Sequence, residues 1–263
     1  MSWRAHPLCA SAVVWPARFW GPEPLDPTAW RELAARLDPA DEIAALLAAL
    51  AGRDREPRVI LDVGGGTGLL TRAIAARFGA CTVIEPAVAQ LRALPAGLAI
   101  VRGRAEALPI GDRAVDAAVA TWVLQYTADP AAAVAELARV VGDGGTVAIV
   151  QAAPANDLVA AYNTAAAIAG MPPAHHGWLL ALAAEVLADA GFAVALTPLA
   201  IGVACAPSIA DAAALADTIA RLHFADHPAL AAMIAAITPA LHAAAARGVR
   251  DDGVLLTARL RKR

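Results

Sequence analysis

From Arg58 to Val63 the chain reads R-V-I-L-D-V, a short β-branched apolar run, and beyond it Leu70, Ile74 and Phe78 recur every fourth position. The first pattern predicts a buried parallel strand and the second predicts one face of a helix. Strand and helix patterns alternate five times across residues 57–151, which predicts a parallel sheet with right-handed crossovers. A Leu/Ala-rich helix is expected before it, from Pro39 to Ala51. After it come helices over Asp157–Ala169 and Trp178–Ala190, the second with Leu179, Leu182 and Val186 on one face and Gly191 as its stop. Phe192 to Cys205 reads as a long sixth strand and Gly253 to Leu260 as a seventh. Between these two strands, Ala206 to Asp252 is helix-like with breaks at Pro228 and Pro239, far longer than a hairpin needs. The expected layout is one integrated domain. Its parts are a lead-in or cover over residues 1–56, a ligand-binding half over 57–151, and a second half over 152–263. The last contains the insertion 206–252, read as a lid or as a structural or dimerising helix pair.

The turn between the first strand and its helix is L-D-V-G-G-G-T-G, Leu61 to Gly68. Glycines let the backbone take positive φ and approach a ligand closely, and free N–H groups at the helix start favour a carboxylate or phosphate. A dinucleotide loop needs G-x-G-x-x-G/A. Counting from Gly64 the sixth residue is Leu69, and from Gly66 it is Thr71, so neither register fits and a nicotinamide-dependent oxidoreductase is disfavoured. No Gly-Lys-Ser/Thr follows, and Lys262 is the only lysine, which removes a phosphate-binding P-loop. The pattern that does fit is D-x-G-x-G-x-G, carried by Asp62, Gly64, Gly66 and Gly68.

That pattern resembles the first motif of the class I S-adenosyl-methionine-dependent methyltransferases, and further segments follow in the family's order. Cys81-Thr82-Val83-Ile84-Glu85-Pro86 puts an acidic residue at the end of a second strand, near the spacing of roughly 20 residues expected for a ribose ligand. Gly103-Arg104-Ala105-Glu106-Ala107-Leu108-Pro109 matches the family's G-D-A-E-x-L-P-like segment, with arginine in place of the aspartate; arginine has no acceptor for the adenine amino group. Val115 to Ala120 is similar to the fourth strand and Arg139 to Val147 to the turn into the fifth. The resemblance implies a doubly wound α/β fold with a mostly parallel seven-stranded sheet. Its last strand would be antiparallel beside the fifth, flanked by the helical lead-in and the helical insertion. It also implies S-adenosyl-methionine as cofactor and S-adenosyl-homocysteine as product. Asp62 and the glycines would seat the methionine end, Glu85 with Pro86 the ribose, and Arg104, Ala105 and Glu106 the adenine edge. Thr121 and Trp122, with Gln125 and Tyr126, would stand near the reacting methyl. The expected reaction is methyl transfer to a small molecule at oxygen; the alternative is a scaffold that has kept the fold and lost the chemistry.

A general base must be sought in the acceptor half, and the paired His175 and His176, in a Pro-rich segment beside Trp178, are the candidates. His223 and His227 have i, i+4 spacing, but no Glu lies between them and Pro228 follows, so they read as exposed loop histidines and no metal is expected. Phe19 and Trp20 are candidates to cover the cofactor. Net charge of −3 gives no basic face for nucleic acid. Apolar residues make up 59%, yet alanine dominates and the Ala229–Ala246 stretch is interrupted by Thr238, Pro239 and His242, so no membrane span is expected. The run Leu8 to Val14 is too short for a secretory signal. Cys9, Cys81 and Cys205 lie far apart with no C-x-x-C pair, so the cytoplasm is expected. Oligomeric state is left open, a homodimer included.

Overall fold

The structure is a computed structural model and describes residues 25–52, 56–94, 96–153, 156–171 and 177–261. Five strands run parallel in order of sequence: β2 (Ile60–Val63), β3 (Thr82–Glu85), β4 (Ala99–Arg102), β5 (Val115–Thr121) and β6 (Val141–Ala152). β7 (Phe192–Leu199) and β10 (Gly253–Leu260) complete a sheet ordered β4-β3-β2-β5-β6-β10-β7, with β10 antiparallel to both neighbours. This is the expected seven-stranded sheet. Chain direction through the sheet reverses between β2 and β5, the place where open α/β sheets bind ligands outside their strand ends.

Alternation along the strands divides the core between two faces. In β6, Val147 and Ile149 join Leu137 of α5 (Pro130–Val140) and Leu179 and Leu180 of α7 (Gly177–Asp189). Ala148 and Val150 face Leu46 and Leu50 of α2 (Ala40–Leu50) and Ile74 of α3 (Leu69–Phe78). A third cluster lies beyond the strand ends. It is built by α1 (Pro27–Ala34), α6 (Asp157–Ile168), α8 (Ile209–Phe224) and α9 (Leu230–Ala245). Side-chain oxygens start several helices: Asp26 on α1, Asp129 on α5, Asn156 on α6 and Ser208 on α8 each accept from a first-turn N–H.

Two expectations are corrected. The long sixth strand stops at Leu199, and β8 (Gly202–Val203) belongs to a separate small sheet with β1 (Leu37–Asp38) and β9 (Val249–Arg250). At the break, Ile201 N–H donates to the Asp252 carboxylate and Asp251 N–H to the Ile201 carbonyl, so the backbone groups leave the main ladder already satisfied. Pro239 breaks nothing: it lies inside α9, and only the region around Pro228 separates α8 from α9. Arg259 of β10 is half-buried and donates to the carbonyls of Ala49 and Ala51, closing the end of α2. Phe19, Trp20, His175, His176 and Lys262 lie outside the described residues.

The turn into β6 is tight. A Cβ on Gly145 would stand 2.6 Å from the Asp116 carbonyl oxygen and 2.6 Å from Val141 Cγ1, whereas one on Gly111 would meet nothing within 4 Å. Gly145→Ala is expected to destabilise the protein by about 1–3 kcal/mol and Gly111→Ala by less than about 0.5 kcal/mol. Urea unfolding of the two variants against the wild type checks this, and equal effects would place the turn differently.

Candidate functional site

The glycine loop forms as its spacing requires. Gly64, Gly66 and Gly68 have φ of 75°, 54° and 76°, a region costly to residues with a Cβ, and Gly68 in that conformation starts α3. Gly64 N–H donates to the Ile84 carbonyl, anchoring the loop to β3. A Cβ at Gly64 would stand 2.5 Å from Val123 Cγ2, and one at Gly66 3.3 Å from the Trp30 indole nitrogen. The loop backbone thus lies between a side chain that follows β5 and an indole brought by α1.

A cleft of about 380 Å³ opens at this loop. Gly64 and Gly66 form one end of it, and Glu85 with Pro86 form its wall at the tip of β3. Arg104, Ala105 and Glu106 form a second wall, and Thr121 and Trp122 close it at the tip of β5. The sequence-predicted residues are therefore brought together, except Asp62 and Gly68, which do not line the cleft. Asp62 is buried beneath the loop and accepts from Thr71 Oγ1, so its carboxyl braces the glycine turn from below. Burial lifts its pKa to about 6, against the Thr71 hydrogen bond and aided by the charge of Glu85.

Glu85 is buried to 7% exposure, accepts from Ala87 N–H at 2.9 Å and is held above the ordinary carboxyl range by burial. Arg104 is exposed and reaches Glu106 at 3.5 Å, while Glu106 accepts from Ala128 N–H at 2.6 Å. This wall is pinned from behind by Arg139, which donates to the carbonyls of Leu108 and Ile110 and pairs with Asp112 and Glu136.

Trp122 joins this cleft to a second cavity. Its φ is 58°, unusual for a bulky residue. Its backbone N–H donates to Val150, its indole N–H donates to Glu42 at 2.9 Å, and its ring edge stands 3.2 Å from the Cβ position of Gly253. The second cavity, about 90 Å³, shares Trp30, Trp122 and Tyr126 with the cleft. Its walls are mostly apolar, from Leu33, Leu158, Ile219 and Leu222, and its polar groups are Gln125, Tyr126, Tyr162, His223 and Asp251.

Sequence reasoning missed most of this cavity. His223 is half-buried on α8, its ring 6.3 Å from Tyr126 in a stacked arrangement and 5.1 Å from Tyr162 edge-on, and not on an exposed loop. His227 accepts from Ala229 N–H near the start of α9. Among the described residues no group of three metal-ligating side chains exists, and no helix is long and apolar enough to cross a membrane. Asp251 carried no signal in the sequence, because its importance comes from position alone.

Residues 61–149 match the methyltransferase domain family. Over these residues the chain is similar to class I methyltransferase domains, whose methyl donor is S-adenosyl-methionine. An uncharacterized methyltransferase of Mycobacterium sp. (strain JLS) is 35% identical over 113 residues, 40% of this chain and 45% of that protein. A malonyl-[acyl-carrier protein] O-methyltransferase of Methylococcus capsulatus is 32% identical over 112 residues, 40% of this chain and 41% of the other. The chain thus matches less than half the length of either curated relative. The crystal structure of the YcgJ protein from Bacillus subtilis shares the fold with a TM-score of 0.56 at 16% identity, covering 84% of this chain and 98% of that one.

The cleft fits S-adenosyl-methionine, the cofactor that the resemblance implies, on its own chemistry. It is lined by glycine backbone without Cβ atoms and by a buried carboxylate for hydroxyl donors, and its volume is in the range of small-molecule sites.

Glu42 is 5% exposed, and burial, opposed by the Trp122 hydrogen bond and aided by Asp62, raises its pKa to about 7. The folded state therefore binds more protons than the unfolded chain between the unfolded carboxyl value of about 4.3 and the folded one. Stability falls as pH rises through that window and is level above it. Glu42→Gln keeps an oxygen for the Trp122 indole and removes the buried charge. The variant is expected to exceed the wild type at pH 8 by on the order of 1–3 kcal/mol and to converge with it only at about pH 4 and below. Thermal melts across pH 4–8 check this, and a constant difference would mean that Glu42 does not titrate there.

Proposed function

We propose that the protein transfers the methyl group of S-adenosyl-methionine to a small, largely apolar molecule at an oxygen atom. One observation carries this reading: the glycine-and-carboxylate cleft and the apolar cavity meet at Trp122, with Trp30 and Tyr126 common to both. Bound S-adenosyl-methionine supplies an electrophilic methyl on a sulfonium leaving group. The residues then have mainly to position the acceptor, since aligning two reactants contributes up to roughly 7–11 kcal/mol.

In this reading Gly64 and Gly66 receive the amino-acid end, Glu85 accepts from the ribose hydroxyls, and Ala105 and Glu106 flank the adenine. Asp62 holds the loop in shape and does not touch the ligand. Trp122 separates the two chambers and sets the line along which acceptor and methyl meet. The helical segment 206–252 closes the acceptor chamber through Ile219, Leu222 and His223. Oxygen is favoured because the cavity offers hydrogen-bond acceptors, Gln125 Oε1 and the Asp251 carboxylate, to a hydroxyl. The name of the Methylococcus relative, an O-methyltransferase, agrees. Cytoplasmic placement belongs to the same proposal and rests on the dispersed cysteines, Cys81 buried and Cys205 half-buried with no partner sulfur among the described residues.

Calorimetric titration with S-adenosyl-homocysteine is expected to give micromolar binding to the wild type. Glu85→Ala is expected to weaken it at least tenfold, about 1.4 kcal/mol. No binding at millimolar ligand would reduce the protein to a scaffold with the fold alone.

A further inference from the structure

We propose that Asp251 is the proton acceptor of the acceptor chamber and that the chamber takes aromatic hydroxyl compounds. This rests on the methyl-transfer reading. Asp251 stands on the connection between β9 and β10, is 9% exposed and lines the cavity. Its carboxyl has no hydrogen-bond partner among the described residues, while its own N–H is spent on Ile201. A second, independent group points the same way: Gln125 lines the same cavity at 4% exposure, and its Oε1 has no hydrogen-bond partner among the described residues. Two acceptor groups, in a chamber whose apolar walls include Trp30, Trp122, Leu33 and Leu158, are matched by a ligand that is apolar and brings a donor.

The charged and titratable neighbours of Asp251 come from several elements. Glu42 of α2 and Asp252, itself paired with Arg250, both disfavour its ionised form, though burial contributes more, and its pKa rises to about 7. Asp157 of α6 accepts from Arg250 N–H and pairs with Arg247. Tyr126, Tyr162 and His223 face the same cavity. A carboxylate of that basicity draws a proton from an aromatic hydroxyl, whose pKa is about 10 as in tyrosine, far more readily than from an aliphatic alcohol. The step balances without a further reactant. The acceptor oxygen forms the new O–C bond, its proton passes to Asp251, and the C–S bond breaks with the electron pair leaving on sulfur.

The test uses the full chain saturated with S-adenosyl-homocysteine, titrated calorimetrically with phenol, anisole and aniline. Methyl transfer from radiolabelled S-adenosyl-methionine to phenol and aniline is measured from pH 5.5 to 9. Phenol is expected to bind at least tenfold tighter than anisole, and transfer to it is expected to rise through about pH 7. Asp251→Asn should keep S-adenosyl-homocysteine affinity and phenol affinity within about threefold, while lowering transfer at least a hundredfold and abolishing the rise with pH. His223→Phe should leave the rise in place. Asp251→Asn with an unchanged rate and pH profile would overturn the assignment, as would loss of the profile in His223→Phe alone. Equal binding of phenol and anisole, or preferential methylation of aniline, would overturn the substrate class. Failure to bind S-adenosyl-homocysteine would instead overturn the methyl-transfer reading on which both depend.

Discussion

The hydrogen bond from the Trp122 indole to Glu42 fixes the geometry on which both chambers depend. Trp122 leaves β5 in a left-handed conformation that costs a non-glycine residue on the order of 1–3 kcal/mol. That conformation persists because the indole nitrogen, the backbone N–H and the ring edge are each held by a different element: α2, β6 and the start of β10. A residue so constrained on three sides makes a stable partition. Since it walls the cleft and the cavity together, loosening any one of its three supports would alter both at once.

Reaching the indole takes Glu42 out of water, and the cost spreads. Glu42, Asp62, Glu85 and Asp251 are all buried near the ends of the central strands, and the charge of one raises the pKa of the next. Each of the first three has a donor: Trp122, Thr71 and Ala87 N–H. Asp251 has none among the described residues, and it is the one that opens onto the apolar cavity. Buried polar groups are ordinarily satisfied, so this carboxyl and the Gln125 oxygen, also without a partner among the described residues, mark the cavity as the place where polar groups are left over from folding.

The cofactor side was legible in the sequence because it is local. The glycine spacing, the acidic residue ending β3 and the segment after β4 each follow a strand within a few positions, so reading the strands located them. The acceptor side was not, because α1, α6, α8 and the β9–β10 connection contribute single residues from distant parts of the chain. Trp30 stands in the lead-in with no motif around it, His223 was judged by its spacing to His227, and Asp251 follows a two-residue strand with too little pattern to detect. The break after Leu199 was missed although Pro198 and Gly202 flank it; there the Asp252 side chain takes up the Ile201 N–H. Pro239 misled in the other direction, as packing of α9 on α8 and α6 outweighs one lost helical hydrogen bond.

The insertion of β10 between β6 and β7 has a consequence for how the molecule is made. Every residue lining the cleft precedes residue 130, so its walls can be laid down while the later half is still being synthesised, and only the Trp122 partition waits for Val150 and Gly253. The cavity cannot, because Asp251 arrives on the segment that leads into β10, and Arg259 of that same strand fastens the end of the helix carrying Glu42. The strand that threads the sheet last therefore fixes the partition between the two chambers and completes the second of them.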